Sequence, residues 1–279
     1  MNSEIIIEPQ GGLANRMRVI ASGLWLGDIT DQKIKLIWNC NRDLNAVFEE
    51  LFETLENIEL INKKRKYFFF RSDKYRNTFK RLIIHFLNFI FAKGYVIFED
   101  ADIIKNFQNG KYFLNLREID KILYFRICQE FGENDIKLKQ FIPKAEIQQK
   151  INIISGQFNQ KTIGIHIRRK DHKLAIIQSP IALFIKRIKS DIEKDDEVNY
   201  FLSTDDLQTE NQLKLLFGER IMSLKKNFSR NSTQGIKDAV VDMYCLSRTT
   251  KIYGSFWSSF SEVAAKINGI NLEVIKIQE

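Results

Sequence analysis

Proline, cysteine and histidine occur only three times each in the 279 residues, and the shortages exclude whole classes of protein. Cys40, Cys128 and Cys245 are widely spaced and odd in number. That leaves no disulfide framework and no zinc-ligand spacing, and it fits a reducing compartment; all three read as packing residues. Long apolar runs are missing too. The most apolar later stretch, 82–98, carries His85, Asn88 and Lys93 in its middle, which argues against a spanning helix of about 20 apolar residues. The opening Met-Asn-Ser-Glu, followed by three isoleucines and Pro9, lacks the basic region, apolar region and cleavage site of a signal peptide. Repeats, low-complexity tracts and coiled-coil heptads are not legible either. The expectation is a cytoplasmic protein, at most peripheral at the inner membrane face.

What is present begins with 44% apolar residues, enough for one large core or two modest ones. The net charge of +8 sits in one place. Lys63, Lys64, Arg65, Lys66, Arg71, Lys74, Arg76, Lys80 and Arg81 face the single acid Asp73 within 63–81, and the rest of the chain is balanced. Tyr67, Phe68, Phe69, Phe70, Tyr75 and Phe79 are interleaved with these bases. The mixture suits an anionic membrane surface, a polyanion or, through base stacking, single-stranded nucleic acid. A helix with core aromatics and solvated bases has the same pattern. Balanced charge elsewhere argues against nucleic acid as a partner, so peripheral contact with anionic lipid is the expectation for this segment.

Along the chain, Glu4 to Glu8 reads as a β-rich strand running into Pro9-Gln10-Gly11-Gly12, and a helix follows from Asn15 to Leu26. Strand, glycine turn and helix open an α/β unit, and free amides at such a turn can approach a phosphate. This makes Gly12, Asn15 and Arg16 candidate ligand residues. Lys35 to Trp38 predicts a strand that ends in the polar loop Asn39 to Asp43. Ala46 to Leu55, Glu118 to Phe131 and Lys144 to Phe158 have helical spacing, and Pro143 marks a break. From Thr162 the alternation is cleaner: strands Thr162 to Ile167, Asn199 to Ser203, Arg220 to Met222 and Lys251 to Tyr253, then a last strand. Helices Pro180 to Ile192, Thr209 to Phe217, Gly235 to Ser247 and Ser258 to Asn268 lie between them. The reading is an α/β protein with an N-terminal α/β domain over 1–155 and a C-terminal Rossmann-like domain, its strands parallel, over 156–279.

Parallel strands bring their carboxyl ends to one edge, where such folds hold ligands. Three polar clusters fall there: His166 to Asp171, Ser203 to Asp206, and Gly254 to Ser261. Arg168 and Arg169 offer planar forks for phosphate oxygens, with His166 and Asp171 beside them. Ser255, Phe256, Ser258 and Ser259 precede a helix, where hydroxyls and free amides cap the helix or bind phosphate. Asp205 and Asp206 could hold magnesium or cap the next helix; because the arginines already neutralise phosphate charge, no metal is expected. Asp238 and Asp242 are four apart on one helix, and a buried aspartate there needs a donor, which guanine would supply.

His166-Ile-Arg-Arg-Lys-Asp171, Tyr200-Phe-Leu-Ser-Thr-Asp-Asp206, and Asp242-Met-Tyr-Cys-Leu-Ser247 leading into Gly254-Ser-Phe-Trp-Ser-Ser-Phe-Ser261 resemble, in order and spacing, the three motifs shared by α-1,6-, α-1,2- and protein O-fucosyltransferases. Gly11-Gly12-Leu13-Ala14-Asn15-Arg16 is similar to the glycine turn of the bacterial members. The resemblance covers most of 160–270 and the first strand and turn, and 35–155 has no match. It implies a GT-B fold, two facing Rossmann-like domains with doubly wound sheets, the C-terminal one holding GDP-fucose and the N-terminal one on the acceptor side. It also implies that His166 and Asp242 recognise guanine, that Arg168 grips the β-phosphate with Ser255 and Ser258 near the phosphates, and that no metal or other cofactor is required.

The implied reaction is an inverting transfer of fucose to a hydroxyl of a glycan or lipid-linked saccharide, with Arg168 stabilising the charge that grows on the leaving phosphate. One departure stands out. Members of the α-1,6 group carry a glutamate shortly after the arginines, whereas here no acid follows Asp171 before Asp191. The general base is therefore sought in His172 or in Asp43. Another GDP-sugar as donor, or a sugar-nucleotide- or glycan-binding protein that kept the arginine site and lost its base, are the alternatives.

Overall fold

A computed structural model describes residues 4–61, 83, 94–106, 121–170, 173–226, 229 and 231–277. The basic segment 63–81, Asp171 and His172 lie outside the described residues. Two units share the chain: one takes residues from Met1–Gln10, Val19–Asn39 and Glu56–Asn134, the other from Gly11–Arg18, Cys40–Leu55 and Asp135–Glu279.

In the first unit β1 (Ile5–Ile7) is three isoleucines with no exposed face, the signature of a strand covered on both sides of a parallel sheet. It is central. With β2 (Ile34–Ile37), β3 (Ile58–Ile61), β4 (Tyr95–Phe98) and β5 (Ile122–Phe125) it forms a sheet of order β3-β2-β1-β5-β4, all pairs parallel. Among the described residues this unit carries α2 (Asp100–Asn106) and the larger part of α1 (Leu13–Thr30). At the end of β1, the buried Glu8 carboxylate accepts from the Tyr124 hydroxyl, from Arg126 Nε at 3.2 Å and from Asn39 Nδ2 at 3.0 Å, tying three strand ends together.

Sequence spacing misjudged two segments of residues 1–155. Within the segment expected as a helix from Glu118 to Phe131, Ile122–Phe125 is instead strand β5, paired with both β1 and β4; its β-branched and aromatic residues suit a buried strand better than a helix. From Ala46 to Leu55 only Phe48–Glu50 is helical, as a single 3₁₀ turn. There Phe48, Phe52 and Phe141 cluster with centroids 5.4 to 6.5 Å apart, so packing rather than helix length sets the local conformation.

The second unit carries β6 (Thr162–Ile167), β7 (Asn199–Thr204), β8 (Ile221–Ser223), β9 (Lys251–Ser255) and β10 (Asn271–Ile275) in the order β10-β9-β6-β7-β8, again all parallel. Its helices are α3 (Asp135–Leu138), α4 (Ala145–Ser155), α5 (Lys173–Gln178), α6 (Ile181–Lys194), α7 (Leu207–Phe217), α8 (Thr233–Ser247) and α9 (Ser259–Asn268). Ile163, Ile165 and Ile167 pack with Phe184, Ile188, Tyr200 and Leu202 in one core, each fully buried side chain stabilising by about 1.5–3 kcal/mol. Helix α8 packs on β6, β7, α4 and α9 and is buried along nearly its whole length. At Gly164 a Cβ would lie 2.8 Å from Thr249 Oγ1 and 2.9 Å from Leu246 Cδ2, so the close approach of this layer to β6 leaves no room for a side chain. Among the described residues, no helix is long and apolar enough to cross a membrane.

Candidate active site

The carboxyl edge of the second unit's sheet opens into a pocket. Its wall includes Gly12 and Asn15 at the start of α1, Asp43, His166 near the end of β6, Arg168 just after it, Asp205 after β7, Asp242 on α8, and Ser259 on α9. Central strand β6 delivers His166 and then Arg168, because a fully buried apolar strand must shed its polar residues at its end. The His166 ring stacks on Phe260 at 4.8 Å, and its Nδ1 lies 3.4 Å from Ser258 Oγ. The Ser255 hydroxyl donates to the carbonyl of His166 at 3.3 Å and accepts from the amide of Arg168 at 3.1 Å. Ser255 and Ser258 are 1% exposed and do not line the pocket; they hold His166 and Arg168 in place.

Asp205 closes the arginine turn from the other side, accepting the amides of Arg169 at 2.7 Å and Lys170 at 3.3 Å. The Arg169 guanidinium turns away to donate to the carbonyl of Ser179 at 2.8 Å. Burial lowers the affinity of that guanidinium for its proton, against Asp205 and Asp206. Asp206 caps α7, accepting from the amide and hydroxyl of Thr209 at 2.8 and 2.7 Å. Burial alone would raise the Asp206 carboxyl, but the bonds from Thr209 prevail and hold it below the usual carboxylate range. Phe256 stands off the pocket, edge-on to Trp257 at 6.0 Å with its amide bonded to Ser179 Oγ at 2.8 Å. Trp257 itself takes φ 53, a strained value for a bulky side chain.

At the glycine turn, Gly11 adopts φ 80, which glycine reaches without the steric cost a Cβ would add. Arg16, read from the sequence as a ligand residue, has no exposed surface; its Nε donates to the carbonyl of Gly11 at 2.8 Å and its Nη2 to Asn41 Oδ1 at 3.0 Å. It braces the turn from behind. That leaves Gly12 and Asn15 facing the pocket, with Asn15 Oδ1 buried and without a hydrogen-bond partner among the described residues.

Asp242 is 3% exposed. Its Oδ2 accepts from the Ser203 hydroxyl at 2.8 Å and from the Lys226 ammonium, while Oδ1 is buried with no partner among the described residues. Burial pushes the Asp242 carboxyl above the usual range, opposed by Lys226 and Ser203. Two unpaired acceptors in one pocket mark where a ligand's donors belong, since buried polar atoms are otherwise bonded.

Sequence reasoning missed Lys226, Gly235, Ile236, Ala239 and Phe260, all of which line the pocket. For two of them a signal existed. Gly235, Ala239 and Asp242 fall at helical spacing on one face of α8, so two small residues clear the way to one acid. Nothing in sequence marks Lys226, which a strand end and a short loop carry to Asp242. Among the described residues no group of three or more histidine, cysteine, aspartate or glutamate side chains is arranged to hold a metal ion.

No protein-family model and no curated protein sequence matches the chain, but solved structures do. The NodZ α-1,6-fucosyltransferase soaked with GDP-fucose is similar with a TM-score of 0.60 and 18% identity, over 95% of this chain and 93% of that one; NodZ from Bradyrhizobium gives 0.62 at 17% identity, over 95% and 93%. The FUT1 R284K mutant of Arabidopsis thaliana in complex with GDP gives 0.60 at 15% identity, over 97% of this chain and 70% of that one. POFUT1 in complex with GDP gives 0.56 at 10% identity, over 96% and 95%. The chain has the fold of these fucosyltransferases.

Proposed function

We propose that the protein is a GDP-fucose-dependent fucosyltransferase that transfers fucose with inversion to a hydroxyl of a glycan or lipid-linked saccharide, without a metal. Residues 156–279 carry most of the donor site in this reading, and 1–155 form the acceptor side. The observation that carries it is the pocket at the carboxyl edge of the second sheet, where His166, Arg168 and the unpaired Oδ1 of Asp242 meet. Its supports are the shared fold and the three sequence motifs.

His166 and Asp242 bind the guanine, amides around Gly12 and Ser259 receive the diphosphate, and Asn15 Oδ1 accepts from a hydroxyl of the sugar nucleotide. Arg168 places a guanidinium on the β-phosphate, where negative charge develops as the fucosyl carbon–oxygen bond lengthens. Such a preorganised cation acts most strongly where water is excluded. Metal-free transfer is favoured by what the paired carboxylates already do: Asp205 is bonded to two backbone amides and Asp206 caps α7. For the general base, Asp205 and Asp242 are likewise committed, so Asp43, which lines the same pocket, is the carboxylate we assign to deprotonate the acceptor.

Release of GDP from GDP-fucose, measured across a panel of acceptor glycans with and without a chelator, tests the proposal. The expected result is chelator-insensitive, acceptor-dependent turnover. Turnover with another GDP-sugar and none with GDP-fucose would replace the donor, and GDP-sugar binding without turnover on any acceptor would favour a binding protein.

A further inference from the structure

Lys226 follows β8 and reaches into the pocket from a loop, where its side chain is only 6% exposed and pairs with Asp242. Burying a lysine this way surrenders hydration and the freedom of a long side chain, and burial of a charged pair rarely adds stability. Its use is therefore sought in the pocket. The surroundings of Asp242 favour its neutral form: it is fully enclosed, and Asp238 stands four residues earlier on α8, itself 4% exposed. Asp238 is held by Gln234 Nε2 at 2.7 Å and faces Lys150 of α4 at 3.9 Å. From β7 comes the neutral hydroxyl of Ser203, and from α9 the pocket receives Ser259 and Phe260. Among the described residues His166, Arg168, Asp205 and Asp43 complete the titratable and charged lining, and the ammonium bonded to Asp242 is that of Lys226.

A protonated Asp242 would offer a hydroxyl where guanine presents two adjacent N–H donors. An ionised Asp242 offers only acceptors, and its Oδ1 can take both donors in a forked arrangement. Lys226 occupies Oδ2 and leaves Oδ1 for the ligand. We infer that Lys226 is a specificity-determining positioning residue, which keeps Asp242 a carboxylate and so lets the pocket select a base with adjacent N–H donors over one without them. The inference rests on the GDP reading given above and adds a residue to it.

The test measures binding of GDP, inosine diphosphate and ADP to the full chain and to its Lys226→Met and Lys226→Arg variants by calorimetry, from about pH 6 to about pH 8.5. The unsubstituted protein is expected to prefer GDP with little change across that range. Lys226→Met is expected to lose about tenfold in GDP affinity at the acidic end, to recover toward the basic end, and to discriminate less between GDP and inosine diphosphate, which lacks the 2-amino donor. Lys226→Arg restores the wild-type pattern. An equal loss for all three nucleotides without pH dependence, an unchanged affinity, or tighter GDP binding in Lys226→Met overturns the inference. Lys226→Gln serves the same comparison if the methionine variant does not fold. Failure of the unsubstituted protein to bind GDP at any pH overturns the functional proposal instead, and the inference falls with it.

Discussion

Ser203 Oγ donates to Asp242 Oδ2 at 2.8 Å, joining the end of β7 to the middle of α8 inside the pocket. A hydroxyl near the end of one strand thus orients an acid on a helix thirty-nine residues later. Ser203→Ala removes a bond to a charged acceptor, which is worth about 1.5–3 kcal/mol. The expected result is GDP binding weakened by about tenfold or more in calorimetry, and an unchanged affinity would mean that Asp242 does not depend on Ser203.

Arg168→Ala should separate catalysis from folding. The amide of Arg168 bonds to Ser255, and this tie to the sheet survives the substitution. Turnover of GDP-fucose is expected to fall by about 10²–10³-fold, as for loss of one oxyanion-stabilising group, with little change in melting temperature. A rate close to wild type would remove the arginine from the phosphate.

Asp206→Ala tests a residue that the sequence left open between ligand and cap. As an N-cap bonded twice to Thr209, it is expected to contribute about 1 kcal/mol to stability. Its folded pKa lies below the unfolded value, so that contribution is complete above the ordinary aspartate pKa and is lost as pH falls through the lowered one. Urea titrations of both proteins should show a stability gap at neutral pH that closes in acid. A gap that widens in acid contradicts the cap.

Gly164→Ala places a methyl group 2.8 Å from Thr249 Oγ1 in the centre of β6. Overpacking of this kind costs about 1–3 kcal/mol, which a fall in the urea midpoint at constant m-value would register. An unshifted midpoint would indicate that Leu246 and Thr249 can give way.

The basic segment 63–81 can be tried against vesicles. Sedimentation with anionic but not neutral lipid, reversed by salt, is the expected outcome if these bases contact a membrane surface. Salt-insensitive or absent sedimentation would leave the segment without that role.

The second unit was legible because its strands are short, apolar and separated by helices with clear apolar spacing; Thr162 to Ile167 matches β6 residue for residue. In the first unit Glu4 to Glu8 and Lys35 to Trp38 were legible as β1 and β2, whereas β5 and β3 were not, since Ile122–Phe125 lies inside a run with helical spacing and Ile58–Ile61 carries a glutamate in its middle. Both strands owe their conformation to pairing partners far along the chain, which local spacing does not see. At the site, residue type announced which groups have chemistry but not which way they face. Arg16 and Arg169 look like ligand residues in sequence, yet the carbonyls of Gly11 and Ser179 hold them.

The turn that carries Arg168 is fastened from both sides, by Ser255 on β9 and by Asp205 at the end of β7. Its conformational entropy is surrendered when the second unit folds, not when a nucleotide arrives. Association with a diphosphate at this turn then needs little local ordering, and affinity can come from the contacts themselves. Such a turn would also keep its amide protons protected from solvent exchange in the absence of ligand, to the same degree as the strands that fasten it.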